Sequence, residues 1–243
     1  MQTVSRDLPR VARSRETFRR STRIGIICRN FLSNNIVRAQ DHKSAMDTDI
    51  RICFVGDSFV NGTGDETALG WAGRLCAFAH ACNIPVTYYN LGIRRNTSKD
   101  ILHRWETECS LRLPASCDGR VVLSCGVNDT VIENGSVRVS SEESRANVRN
   151  ILRNAQKYKV LMIGPPPVGE DVQNERIMTL SQIYAAEAKI HGVPYIDIFS
   201  PLASDVAYKR EVSSNDGSHP RSFGYTKMAN IISSSSNWWF YAP

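Results

Sequence analysis

Residues 50–59, Ile50-Arg51-Ile52-Cys53-Phe54-Val55-Gly56-Asp57-Ser58-Phe59, decide the fold. The run 50–55 is almost continuously apolar and β-rich, which is how a strand buried on both faces reads. It stops on a glycine and two polar residues, the signature of a tight turn into a helix. The same kind of run recurs at 86–91, 121–125, 159–163 and 194–198. Between the runs lie segments of helical character at 69–81, 97–111, 141–157 and 175–191, with a last helix near 222–234. Ser141-Glu142-Glu143-Ser144 places hydroxyls and carboxylates at a helix start, where free N–H groups favour them. Strands alternating with helices of this length predict βαβ units, right-handed crossovers and a parallel sheet covered on both sides.

In such open sheets the ligand sits beyond the carboxyl ends of the strands. The residues after each strand are therefore the place to look for chemistry. After the first comes Gly56-Asp57-Ser58, where a serine at a strand-to-helix turn can act as nucleophile with its own N–H facing the reacting oxygen. Taken alone, Ser58 fits a helix cap or a phosphate-binding turn equally well. The second strand ends Asn90-Leu91-Gly92, and Gly92 would let a backbone N–H face the serine without a side chain intervening. The third ends Gly126-Val127-Asn128-Asp129; Asn128 can aim an amide donor at the same point, while Asp129 reads as structural. Before the final helix lies Asp216-Gly217-Ser218-His219-Pro220. There the Asp216 carboxylate can hold Nδ1–H of His219 and present Nε2 as a base to the serine. The other histidines, His42, His80, His103 and His191, have no such neighbourhood. Together the turns supply a nucleophile, oxyanion donors, a base and its orienter, in order along one sheet edge, which is a complete set for acyl transfer.

Charge narrows the function further. The chain of 243 residues carries a net charge of +6. Residues 1–45 hold ten basic and three acidic residues, a net of +7, leaving 20 basic and 21 acidic residues in 46–243, a net of −1. The basicity belongs to an N-terminal extension, read as disordered or as a transit peptide, and a positive groove for nucleic acid is disfavoured. No apolar stretch approaches the length of a membrane span. The early cluster Ile24-Gly25-Ile26-Ile27-Cys28 is too short for a secretory signal. Seven irregularly spaced cysteines, with no CxxC pair, suit reduced core thiols and a cytoplasmic location, with organelle targeting as the alternative should 1–45 be a genuine transit peptide.

With these blocks in order, the sequence resembles the SGNH hydrolases, also called the GDSL esterase/lipase family, over about residues 50–232. Ser58 matches the nucleophile of the GDS block, Gly92 the oxyanion glycine, Asn128 the GxND asparagine, and Asp216 with His219 the DxxHP block. The resemblance implies a three-layer α/β/α, flavodoxin-like fold with a five-stranded parallel sheet in order 2-1-3-4-5. It implies a hydrolase domain over 46–243, with Ser58, Asp216 and His219 as triad and Ser58, Gly92 and Asn128 as oxyanion hole, acting through an acyl-enzyme without metal or cofactor. The block reads GDSF here, and Arg95 stands where the family often carries a further glycine. Arg94 and Arg95 are expected to face solvent, the alternative being recognition of an anionic substrate group.

Residues 131–139 and 165–176 leave the active edge and are expected to line the acyl and alcohol sites. Neither is a long apolar lid, which favours short-chain or water-soluble esters, with thioesters and lysophospholipids also in range. The alternative is a non-catalytic flavodoxin-like module holding a phosphate or flavin, although no GxGxxG or GxxxxGK[ST] loop is present. The terminal Trp238-Trp239-Phe240-Tyr241 is expected to pack on the domain or against a second copy in a homodimer.

Overall fold

The computed structural model describes residues 49–240. The expected N-terminal extension, 1–45, lies outside the described residues, as does Tyr241 of the terminal aromatic cluster. In chain order the strands are β1 (Ile50–Gly56), β2 (Val86–Gly92), β3 (Asp118–Ser124), β4 (Ile132–Glu133), β5 (Ser136–Val137), β6 (Lys159–Ile163) and β7 (Tyr195–Ile196). The helices are α1 (Ser58–Asn61), α2 (Gly70–Ala81), α3 (Ser98–Arg112), α4 (Ser141–Asn154), α5 (Asp171–Ile190), α6 (Phe199–Ala203), α7 (Val206–Ser214) and α8 (Ser222–Ser233). A 3₁₀ turn at Ala155–Lys157 follows α4.

Five strands form one parallel sheet in the order β2-β1-β3-β6-β7. β1 pairs along its whole length on both sides, from Ile50 opposite Val86 and Asp118 to Gly56 opposite Gly92 and Ser124. The pleat sends its alternate side chains to opposite layers. Ile52 and Phe54 join a core with Trp71 and Leu75 of α2 and Met228 and Ile232 of α8. Cys53 and Val55 join the other, with Ile101 and Trp105 of α3 and Val148 and Ile151 of α4. Burial on both faces is why 50–55 reads as an apolar run rather than an alternating one. The strand order reverses between β1 and β3, and it is beyond such a switch point, here past Gly56 and Ser124, that open sheets hold their ligands.

Local chemistry sets several element ends. Thr97 and Asp100 form a reciprocal capping box on α3, and Ser140 caps α4 by accepting from Glu143 N–H. α5 begins at Asp171, four residues before the expected start, because its first turn is polar except for an exposed Val172 and so hides its period. The hairpin β4–β5 and the helices α6 and α7 escape the sequence reading. Asn134 and Gly135 carry φ of 52° and 81° between β4 and β5, the left-handed pair that a two-residue hairpin turn requires.

Trp238 and Phe240 are buried in the core beside α2 and α8, and the Arg120 guanidinium lies 5.2 and 5.0 Å from the Trp239 and Phe240 ring centroids. The described terminal aromatics thus pack on their own domain. No disulfide joins the described cysteines, and no helix among the described residues is long and apolar enough to cross a membrane.

Candidate active site

The turn that presents Ser58 is built by exclusion. A Cβ on Gly56 would sit 2.1 Å from the Ser124 carbonyl oxygen and 2.4 Å from Val60 Cγ2, so only glycine lets β1 end this close to β3. Asp57 then caps α1, its Oδ1 accepting from Phe59 N–H at 2.9 Å. Ser58, the first residue of the helix, is buried, and its N–H meets no acceptor among the described residues.

His219 reaches this serine from the loop between α7 and α8. Asp216 Oδ1 accepts from Ser218 N–H at 3.0 Å and His219 N–H at 2.7 Å, which folds the four-residue turn on itself. Gly217, at φ 78°, permits that turn. The second carboxylate oxygen lies 2.7 Å from His219 Nδ1, and His219 Nε2 lies 2.7 Å from Ser58 Oγ. A carboxylate only accepts, so it keeps the imidazole proton on Nδ1 and leaves Nε2 free to accept from the serine hydroxyl. Partial burial pushes the Asp216 carboxyl up, but the hydrogen bonds from the His219 backbone and ring and from Ser218 N–H outweigh it and hold the group below the usual carboxylate range. Phe59 walls the imidazole, with ring centroids 4.8 Å apart.

The two other predicted donors are engaged within the protein. Asn128 Nδ2 donates to the Asn96 carbonyl at 3.1 Å and makes a long 3.4 Å contact with Asp57 Oδ2. Gly92 N–H donates to Asn90 Oδ1 at 3.0 Å rather than standing free. The glycine there answers a steric need: a Cβ would lie 2.2 Å from Asn61 N and 2.7 Å from the Asp57 carbonyl oxygen. In the turn that follows, Asn96 N–H closes on the Ile93 carbonyl at 3.2 Å and Arg95 takes φ 65°. Arg95 N–H meets no acceptor among the described residues.

Asp129 is a structural carboxylate. It is fully buried and accepts from Ser98 N–H at 2.7 Å, from Ser144 Oγ–H and from Tyr184 OH, tying the starts of α3 and α4 to the loop that carries Asn128. Asp57 is buried as well. Burial, reinforced by the nearby Asp129, pushes its carboxyl up to about 7 against the opposing bond from Phe59 N–H. The sequence reading passed over Asp57, although an Asp one residue ahead of a helix start is a cap signal.

His80 and His103 bind backbone carbonyls of Val86 and Lys99, and His191 lies near Glu187. His42 lies outside the described residues. At the rim, Arg95 pairs with Glu133, Arg138 lies 3.5 Å from the same carboxylate, and Arg138 Nη1 donates to the Arg95 carbonyl. Arg94 is exposed. A cavity of about 300 Å³ opens two residues past Asn128, lined by Thr130, Val139, Ser144, Arg176 and Leu180 among others; Ser58, Asp216 and His219 do not line it.

A family model described as GDSL-like Lipase/Acylhydrolase matches residues 54–227. The chain belongs to that family. The GDSL-like family acts on ester bonds, so the protein is an ester-bond hydrolase rather than a non-catalytic module. No curated protein matches the sequence. Solved structures of similar fold include the lipase/acylhydrolase from Enterococcus faecalis, 23% identical, with a TM-score of 0.64 over 75% of this chain and 93% of that one. A variant of an acetylxylan esterase from Geobacillus stearothermophilus is 17% identical, with a TM-score of 0.62 over 76% of this chain and 92% of that one. An alpha/beta hydrolase from the metagenome of Lake Arreo, Spain, is 19% identical, with a TM-score of 0.61 over 80% and 99%. At these identities the likeness is one of fold.

Proposed function

We propose that this hydrolase cleaves short-chain or water-soluble acyl esters through an acyl-enzyme on Ser58. The observation that carries the reading is the continuous chain Asp216 Oδ2–His219 Nδ1 and His219 Nε2–Ser58 Oγ, with 2.7 Å at each step. His219 Nε2 takes the Ser58 proton as Oγ attacks the carbonyl carbon, and Asp216 stabilises the imidazolium that results. The carbonyl π pair moves onto oxygen, and Ser58 N–H, which has no acceptor among the described residues, donates to it. Asn128 contributes the amide proton now spent on the long Asp57 contact. A further N–H comes from the segment 92–95, either Gly92 N–H after exchanging Asn90 Oδ1 or the unpartnered Arg95 N–H. His219 then protonates the leaving alcohol, and water, activated by the same imidazole, releases the acid.

The preference for short or soluble acyl groups rests on what borders the edge. The 131–139 segment is held as a small hairpin with an ion-paired Glu133, and Pro165–Val168 packs into the domain as buried residues. Neither supplies an apolar lid for a long chain. An acyl-length series of p-nitrophenyl esters, run beside acyl-CoA and lysophosphatidylcholine, tests this. The expected kcat/KM is highest between acetate and butyrate and falls beyond; a steady rise with chain length would refute the preference.

A further inference from the structure

Arg104, on the second turn of α3, belongs to none of the sequence blocks and touches no triad residue, yet its guanidinium joins the two backbone segments behind the site. Nη2 donates to the Gly56 carbonyl at 2.8 Å. That oxygen ends β1, immediately ahead of Asp57 and Ser58, and it also accepts from Ile93 N–H at 3.0 Å. Nε of the same guanidinium donates to Asn96 Oδ1 at 2.7 Å. The Asn96 backbone carbonyl in turn accepts from Asn128 Nδ2 at 3.1 Å. The third arm, Nη1, is held by Glu108 Oε1 one helical turn on, at 3.1 Å, and the side chain is 16% exposed.

One planar group therefore spans the nucleophile turn and the turn that holds Asn128. We infer that Arg104 is a positioning residue, which fixes the separation of Ser58 N–H from the Asn128 amide and so sets the width of the oxyanion site. The inference rests on the reading of Ser58 and Asn128 as oxyanion donors. Its physical basis is that donors stabilise a developing charge only when held where the oxyanion forms, with no reorganisation at the moment of reaction. A rigid fork can serve two acceptors in fixed directions at once. A lysine ammonium in its place is a point charge on a flexible stem, free to satisfy one carbonyl and leave the other loose. Gly56 ends β1 and Asn96 lies in the connection from β2 to α3. Besides the guanidinium, their segments are tied here by Ile93 N–H to the Gly56 carbonyl and by Asn128 between Asn96 and Asp57. Losing the guanidinium lets the 93–96 turn drift away from Ser58.

The test compares Arg104→Met, Arg104→Lys and Asn96→Ala with the parent on p-nitrophenyl acetate, with rates normalised to folded protein. Phenylboronic acid, whose boron becomes tetrahedral on a serine oxygen, reports on the oxyanion site without turnover. The expected result is a fall in kcat of at least about 10-fold in both Arg104 variants with KM within about 2-fold, and a matching rise in the boronate inhibition constant. Adding Asn96→Ala to Arg104→Met should cost far less than the product of the single effects, because both remove one shared bond. Should Arg104→Met fail to fold, Arg104→Lys and Asn96→Ala carry the same comparison. A normal kcat in folded Arg104→Lys and Asn96→Ala, a loss confined to KM, or an unchanged boronate constant would each overturn the inference, since a merely structural arginine lowers stability and leaves those readouts in place. Ser58→Ala is run alongside. Activity surviving there would remove the underlying reading, whereas an inactive Ser58→Ala with fully active Arg104 variants would defeat the positioning role alone.

Discussion

His219 Nε2 lies 2.7 Å from Ser58 Oγ across a separation of 161 residues. The contact closes a path from an anchored carboxylate to a buried hydroxyl, and under the proposed acyl-enzyme mechanism the two residues act as one unit. Ser58→Ala and His219→Ala should each lower turnover of p-nitrophenyl acetate by about 10⁴–10⁶-fold, and the double variant should be scarcely worse. Near-parental melting temperatures would show that the loss is chemical. Turnover that survives Ser58→Ala removes the acyl-enzyme.

Asn128→Ala should lower kcat by about 10²–10³-fold with a small change in KM, the scale of one oxyanion donor. Steady-state kinetics decide it. A change confined to KM would make Asn128 a ground-state contact and take it out of the oxyanion site.

Gly92→Ala asks for space that does not exist. The new methyl would meet Asn61 N at 2.2 Å and the Asp57 carbonyl oxygen at 2.7 Å, both backbone atoms that cannot rotate aside. A loss of about 1–3 kcal/mol is expected, together with activity, because the atoms pushed belong to the turn that carries Ser58. Chemical denaturation measures the first, and unaltered stability would show that α1 yields more easily than its packing implies.

Arg95 holds φ 65°, a conformation that costs an L-residue about 1–2 kcal/mol and glycine almost nothing. Its ion pair with Glu133 is exposed on both sides, at 71% and 42%, and such pairs contribute little. Arg95→Gly should therefore raise the melting temperature, by about 1–3 °C for a chain of this size. A lower melting temperature would mean that the rim ion pair and the rigidity of the turn outweigh the strain.

Asp57 gives the protein a pH signature. Its carboxyl is pushed up to about 7 in the fold from an ordinary value of 3.8. Between those values the folded chain holds a proton that the unfolded chain has released, so stability falls as pH rises, by at most about 1.4 kcal/mol per unit. Asp57→Asn cannot titrate. Urea midpoints of parent and variant should diverge from about pH 4 to about pH 7 in that direction; parallel curves would show that Asp57 is ionised throughout.

The legibility of the molecule follows the range of its interactions. The sheet was readable because β1 is apolar on both faces and ends at Gly56, signals carried within seven residues. The small hairpin was equally local in principle, since Asn134-Gly135 is a turn pair, but strands of two residues leave no period to detect. α7 hides for a similar reason: only Tyr208 and Val212 of its nine residues are buried. At the site, Ser58, Asn128, Asp216 and His219 were legible as residue types in the right order after successive strands.

By itself, then, the sequence determined the parallel α/β architecture and the edge on which its polar turns gather, because periodicity and turn chemistry are local properties. Only the tertiary structure decided how the donors are spent. Gly92 N–H is taken by Asn90, Arg95 N–H is left open among the described residues, Asn128 leans on Asn96, and Arg104 bridges Gly56 to Asn96. A hydrogen bond depends on distance and direction between particular atoms, and those are set where separate crossover connections meet at the sheet edge.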